Sequence, residues 1–291
     1  MKRIAILGCE NSHAGSFLNT IKAHEEFHDI EVIGVFSEER EAAEKLNEKF
    51  GVPVLDNYTD ALGKIDGLVV TARNGANHLK YAAPYLDSGV PMYIDKPITN
   101  SEEDALTLVR EFEKRGIRYT GGSCLRHDVF VKSLAEDRLN NVDGETVGGL
   151  VRAPIDPNSS YGGFFFYAPH MVESTLEIFG KYPKSVKAYQ NGRKYNVVFR
   201  YEDYDVNGIF VSDNSYYFAE RQAERGFRSA KVASGAGNDW IYSEFTDYYR
   251  LLCGEDRIGT PEDFIASVFV MNAIKRSLDS GNEEKVNEIK L

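Results

Sequence analysis

The feature that most limits how this chain can fold is the regular exchange of short apolar runs and helical stretches over its first 120 residues. The apolar run 3–7 ends at Gly8, and a helical pattern follows at 17–27 with Phe17, Leu18, Ile21 and Phe27 on its apolar side. A β-rich run at 30–36 precedes a charged helix at 39–50 that stops at Gly51, and a short strand at 52–55 follows behind Pro53. A helix near 59–62 leads to a strand at 67–71, a helix at 78–88 to a strand at 91–94, and a helix running to Lys114 to a strand at 117–120. Ser101 with Asp104 three residues on resembles a capping box, and Gly116 marks that last helix's end. Strands joined through helices need right-handed crossovers, which align them in parallel and cover both sheet faces. The expectation for 1–121 is therefore an α/β domain, a Rossmann-like doubly wound parallel sheet, with the Gly121–Gly122 pair as its boundary.

After that pair the pattern changes. Helices are expected at 128–138, 170–179, 241–252 and 261–278. Between them lie strand-like runs at 148–153, 185–190, 195–201, 207–212 and 216–219, separated by turn signals such as Asn191–Gly192. This is the pattern of an α+β domain over 122–291 with an open, mostly antiparallel sheet. The 17 Tyr and 17 Phe fall mostly in this half, which suits a sheet face that packs on a partner.

Composition narrows the function. The apolar share of 42% is enough for two cores, so the chain is not of the disordered class. With 34 basic and 45 acidic residues, the net charge of −11 disfavours a nucleic-acid or anionic-membrane partner. Cys9, Cys124 and Cys253 have neither metal spacing nor the number for a disulfide framework, and no metal site is expected. No apolar run approaches a membrane span, and the strand pattern begins at the first residues, so a cytoplasmic protein is expected.

The turn after the first strand, Gly8-Cys9-Glu10-Asn11-Ser12-His13, lies where a dinucleotide fingerprint would stand. That fingerprint uses one glycine for the turn, one for close approach to the pyrophosphate and one for helix–strand packing. Gly8 fills the first position, while Glu10 and His13 occupy the other two. Glu10 is expected near the pyrophosphate, with His13 as a candidate counter-charge. After the second strand, Ser37 stands where an acid would hold the ribose hydroxyls, with Glu38 and Arg40 following. That set leaves NAD and NADP both open.

The later segments carry a resemblance. Thr71, Asn77-His78, a helix and then Gly89-Val-Pro-Met-Tyr-Ile-Asp95-Lys96-Pro97 resemble the glucose–fructose oxidoreductase/inositol dehydrogenase (Gfo/Idh/MocA) family. So does the tract from Gly162-Gly163 through His170 to Glu173, and the tail 245–277 resembles the family's closing helices. The resemblance spans nearly the whole chain in order. It implies a dinucleotide-binding domain, a sheet domain that often dimerises, and NAD- or NADP-dependent oxidation of a hydroxyl on a sugar, polyol or related molecule. A homodimer or homotetramer acting on a small polyhydroxylated substrate is expected.

By that resemblance Lys96 and His170 are the catalytic pair. A histidine titrates near neutral pH and suits proton uptake from a hydroxyl, while a lysine stabilises developing alkoxide charge. Pro97 favours an extended Lys96 at the strand's carboxyl end. Gly8, Cys9, Glu10, Asn11, Ser37, Thr71, His78, Asp95 and Lys96 are the expected cofactor-binding set. Arg126, Tyr161 and His170 are the expected substrate set. The chain departs from the family pattern at Glu10 and His13, in two extra residues between Thr71 and His78, and in Asp95 for the usual Glu. Phe166 also stands four residues before His170, where the family usually has Asp. These departures motivate a second reading, a catalytically silent ligand-binding or regulatory relative, and a third, transient nicotinamide use in hydrolysis or elimination.

Overall fold

Five parallel strands form the first sheet: β1 (Lys2–Leu7), β2 (Ile30–Phe36), β3 (Gly67–Val70), β4 (Met92–Asp95) and β5 (Tyr119–Gly122), in the order β2-β1-β3-β4-β5. The computed structural model describes residues 1–212, 216–235, 238–257 and 259–291. Strands β1, β3 and β4 are buried almost throughout, as a parallel sheet covered on both faces requires. The helices between them are α1 (Ser12–Ala23), α2 (Arg40–Phe50), the short α3 (His78–Ala82) and α4 (Glu102–Arg115).

The local signals explain most of these boundaries. Ser101 Oγ accepts the Asp104 N–H at 3.1 Å, and Gly116 ends α4 in the left-handed conformation. Helix α1 starts earlier than its apolar periodicity suggests, because Asn11 caps it by accepting the His13 N–H. Three expected elements differ. Residues 52–55 make a single bridge, Val54 with Val35, since Pro53 has no N–H to give a ladder. Residues 59–62 form turns rather than a helix. The helix expected over 78–88 passes at Ala83 into a 3₁₀ turn, with Pro84 at its start.

In the second half, α5 (Val129–Leu139), β6 (Thr146–Pro154), α6 (Ala168–Phe179) and strands β7 (Ser185–Asn191), β8 (Lys194–Arg200), β9 (Asp205–Val211), β10 (Tyr217–Ala223) and β11 (Gly226–Val232) follow. Helices α7 (Trp240–Leu252) and α8 (Pro261–Ser280) and strand β12 (Glu283–Lys285) finish the chain. The seven-stranded order is β11-β10-β6-β9-β8-β7-β12, antiparallel except where β6 runs parallel to β9. Strand β11 carries no apolar alternation, being an exposed edge with Arg228 and Lys231, so it was not legible as a strand. Helix α6 lies close on this sheet because Gly208 has no side chain: a Cβ there would meet the Met171 sulfur at 2.8 Å.

The chain divides into two compact units, Met1–Gly122 with Ile241–Phe264 and Leu291, and Ser123–Trp240 with Ile265–Lys290. The boundary after Gly122 falls next to the one expected, but most of α7 belongs to the first unit. The reason is aromatic packing: Phe245 sits 5.2 Å from Phe17 and 5.1 Å from Phe27, ring centre to ring centre. Among the described residues, no helix is long and apolar enough to cross a membrane.

Candidate active site

In the first unit the site begins with Gly8. Its φ of +80° belongs to the left-handed region, and a Cβ there would lie 2.3 Å from the Ala72 nitrogen. Only glycine lets β1 turn this close to the end of β3. Gly8 and Cys9 both donate their N–H to the Phe36 carbonyl, at 2.8 and 3.0 Å, and Thr71 Oγ1 donates to the Gly8 carbonyl at 3.1 Å. These bonds join the carboxyl ends of three neighbouring strands. Cys9 is buried, and burial followed by the charge of Glu10 pushes its thiol up to about 12, so it is an inert core group.

The two side chains in the glycine positions have separate partners. Glu10 reaches sideways: its carboxylate accepts the Ser37 hydroxyl at 2.8 Å and the Arg73 N–H at 3.0 Å. It therefore stands at the ends of β2 and β3. His13 turns to β4, where Nδ1 lies 2.9 Å from Asp95 Oδ1, while Asn11 Nδ2 donates to Asp95 Oδ2 at 2.7 Å. This corrects the expectation that His13 serves as counter-charge to Glu10; its imidazole serves Asp95. Asp95 is fully buried. Burial alone would raise its pKa, but the His13 imidazole and the Lys96 charge outweigh that and hold the carboxyl below its ordinary value.

Lys96 follows at the end of β4 and is only 4% exposed, a burial that an ordinary surface lysine does not show. His78 is wholly buried, and both ring nitrogens face backbone carbonyls, Ile98 at 3.1 Å and Ala72 at 2.8 Å. Burial lowers its pKa. Its observed role is to clamp the end of β3 to the segment after Lys96, not to present its ring to a ligand. Thr71, also fully buried, is likewise a clamp. Glu38 pairs with Lys80 at 2.6 Å, and Arg40 with Glu44 and Asp56 at 3.0 and 2.9 Å.

In the second unit, His170 lies in the first turn of α6 and is 7% exposed. Its Nδ1 is 2.8 Å from Ser123 Oγ, and its ring packs on Tyr167 and edge-on against Tyr217. Ser123 thus takes the orienting contact on His170 that the family pattern gives to an acid. Phe166 instead joins an aromatic cluster with Tyr161 and Tyr167, at 5.6 and 4.8 Å. Glu173, one turn along α6, accepts the Ser123 N–H at 2.7 Å. Arg126 is half-buried on the Cys124–His127 turn, donates to His127 Nε2 at 3.1 Å, and places its charge near Glu173. Tyr161 is half-buried behind the Asn158-Ser-Ser160 loop. The orienting role of Ser123 had no local signal, since the serine lies 47 positions from His170.

The residues of the first unit fit a dinucleotide. Gly8 gives the close turn at the end of β1, Asn11 opens a helix beside it, and a carboxylate faces the end of the second strand, where ribose hydroxyls are held in such folds. Among the described residues no group of three or more His, Cys, Asp or Glu could hold a metal ion.

Residues 2–123 match the oxidoreductase family with an NAD-binding Rossmann fold. The glucose-6-phosphate 3-dehydrogenase of Bacillus subtilis (strain 168) is 27% identical over 144 residues, which span 48% of this chain and 39% of that enzyme. The myo-inositol dehydrogenase of Lactobacillus casei, solved in complex with NAD(H) and myo-inositol, superposes with a TM-score of 0.84 at 14% identity, covering 100% of this chain and 98% of that one. A probable dehydrogenase from Thermotoga maritima gives 0.82 at 15% identity, covering 98% and 99%. These likenesses at low identity establish the shared two-domain fold. The first domain matches the model of the Gfo/Idh/MocA oxidoreductases over residues 2–123, and it is an NAD-binding Rossmann domain.

Glu173 yields a pH prediction. Burial raises its pKa, against relief from the Arg126 charge and the Ser123 N–H. A folded value above the unfolded one of about 4.3 means that the folded state keeps the proton longer. Wild type therefore loses stability as pH rises from about 4.3 through the folded value. Glu173→Gln keeps an acceptor for Ser123 without titrating, so its stability relative to wild type rises over that window. Urea unfolding at about pH 4.5 and about pH 7.5 measures this, and a constant or falling difference contradicts it.

Proposed function

We propose that this protein is a dehydrogenase that oxidises a hydroxyl of a small polyhydroxylated molecule, a sugar or polyol, with a nicotinamide dinucleotide as co-substrate. The observation that carries the proposal is a buried lysine at the end of β4, on a domain whose three strand ends are tied into a nucleotide crevice. The named activities of the relatives, on glucose 6-phosphate and inositols, support that substrate class.

In this reading Gly8, Glu10, Asn11 and Ser37 line the dinucleotide site, Cys9 supports the turn from the core beneath it rather than meeting the ligand with its thiol, and Thr71, His78 and Asp95 hold its walls. When bound, the nicotinamide supplies the hydride acceptor. Lys96 donates a charge-assisted hydrogen bond to the reacting oxygen and stabilises alkoxide charge as the hydroxyl proton leaves. His170 accepts that proton at Nε2 in the tautomer whose Nδ1–H donates to Ser123 Oγ, a contact that holds the ring in place. Arg126 and Tyr161 contribute to binding substrate hydroxyls.

Assembly as a homodimer or homotetramer belongs to the same proposal. One face of the second sheet sets the half-buried Leu150, Val198, Ile209 and Phe218 among Arg152, Asn196, Asn207 and Glu220, a mixed apolar and polar surface of the kind that a second copy can cover. Sedimentation of the protein as a monomer at micromolar concentration would contradict it.

Activity is tested by following absorbance at 340 nm with NAD⁺ or NADP⁺ and a panel of inositols and aldoses. Lys96→Ala and His170→Asn each lower kcat by about 10²-fold or more, while dinucleotide affinity stays within about threefold. Wild-type protein that binds the dinucleotide but turns over no member of the panel would contradict the proposed activity, and a kcat unchanged by either substitution would contradict these roles.

A further inference from the structure

We infer that Glu10 selects the adenosine ribose, so that the crevice takes NAD(H) and turns away NADP(H). This deepens the dehydrogenase reading and rests on it. The residue stands where the fingerprint has its second glycine, yet its carboxylate is not aimed along the first turn. It is fixed between the Ser37 hydroxyl at the end of β2 and the Arg73 N–H after β3. In folds of this kind an acid on the second strand accepts the ribose 2′-hydroxyl. This chain has Ser37 at that point, and the acid arrives from the neighbouring loop.

The chemistry of the position follows from counting donors and acceptors. A carboxylate offers about four acceptor sites, and Ser37 and Arg73 fill two of them. What remains suits hydroxyl donors, which a ribose diol provides and a 2′-phosphate does not. Ser37 has one hydroxyl proton, which goes to Glu10, while its oxygen accepts the Glu39 N–H at 3.0 Å. Two cations at this end of the sheet already face acids: Lys80 meets Glu38, and Arg40 meets Glu44 and Asp56. A 2′-phosphate would bring up to two negative charges against the Glu10 carboxylate.

Calorimetric titration of the full-length protein with NADH, NADPH, 5′-AMP and 2′,5′-ADP tests the inference without relying on turnover. Wild type binds NADH about thirtyfold more tightly than NADPH, and 5′-AMP more tightly than 2′,5′-ADP. Glu10→Gln narrows the NADH-to-NADPH ratio to about threefold, chiefly by tightening NADPH. The fragment pair carries the same test on wild-type protein alone, should the variant fold poorly. Equal affinities, a preference for NADPH through the Arg73 side chain, or a ratio unchanged in Glu10→Gln would overturn the inference and leave the dehydrogenase reading standing. Binding of neither dinucleotide would overturn that reading, and the inference with it.

Discussion

One buried carboxylate organises the first half of the molecule. Asp95 ends β4 with no exposed surface, and a charge so placed is costly unless it is paired and hydrogen-bonded. Asn11 and His13 supply those partners from the turn and first helix after β1. The same bonds fix where α1 begins, where the nucleotide turn lies and how the strand ahead of Lys96 is held. Lys96 therefore sits directly after the group that anchors the turn following β1 to its own strand.

Seen this way, the unusual first turn is a different solution rather than a damaged one. The fingerprint uses glycine to bring backbone close to phosphate and helix close to strand. Here the left-handed first glycine remains, because Ala72 leaves no room for a Cβ. The other two positions carry side chains that reach to opposite sides, Glu10 towards β2 and β3 and His13 towards β4. Each joins the turn to neighbouring strand ends by hydrogen bonds, where the glycine fingerprint relies on close packing. The second unit makes a comparable exchange, with Ser123 holding His170 and Phe166 given over to aromatic packing.

What the sequence made legible was local or periodic. The parallel sheet followed from alternating strands and helices, and the caps at Ser101 and Gly116 followed from side-chain chemistry within a few residues. Lys96, His170 and the turn after β1 could be singled out as candidates because motif order survives even where single motifs do not, and both of those side chains are buried. The strand at Gly226–Val232 was hidden because an exposed, charged edge has no apolar alternation. The return of α7 to the first unit was hidden because aromatic packing between Phe245 and Phe17 leaves no trace in local pattern. The partners of Glu10, His13 and His170 were hidden for the same reason, since their bonds span 27 to 82 residues of chain.

The most direct test of this account is a double-mutant cycle on the Asp95–His13 pair, with His13→Ala, Asp95→Asn and the double variant compared by urea unfolding at neutral pH. If the buried carboxylate is held by the imidazole, the two substitutions are coupled by about 2 kcal/mol, and the double variant is less damaged than the sum of the single ones. Effects additive to within about 0.5 kcal/mol would show that Asp95 does not depend on His13, and the central claim would fail.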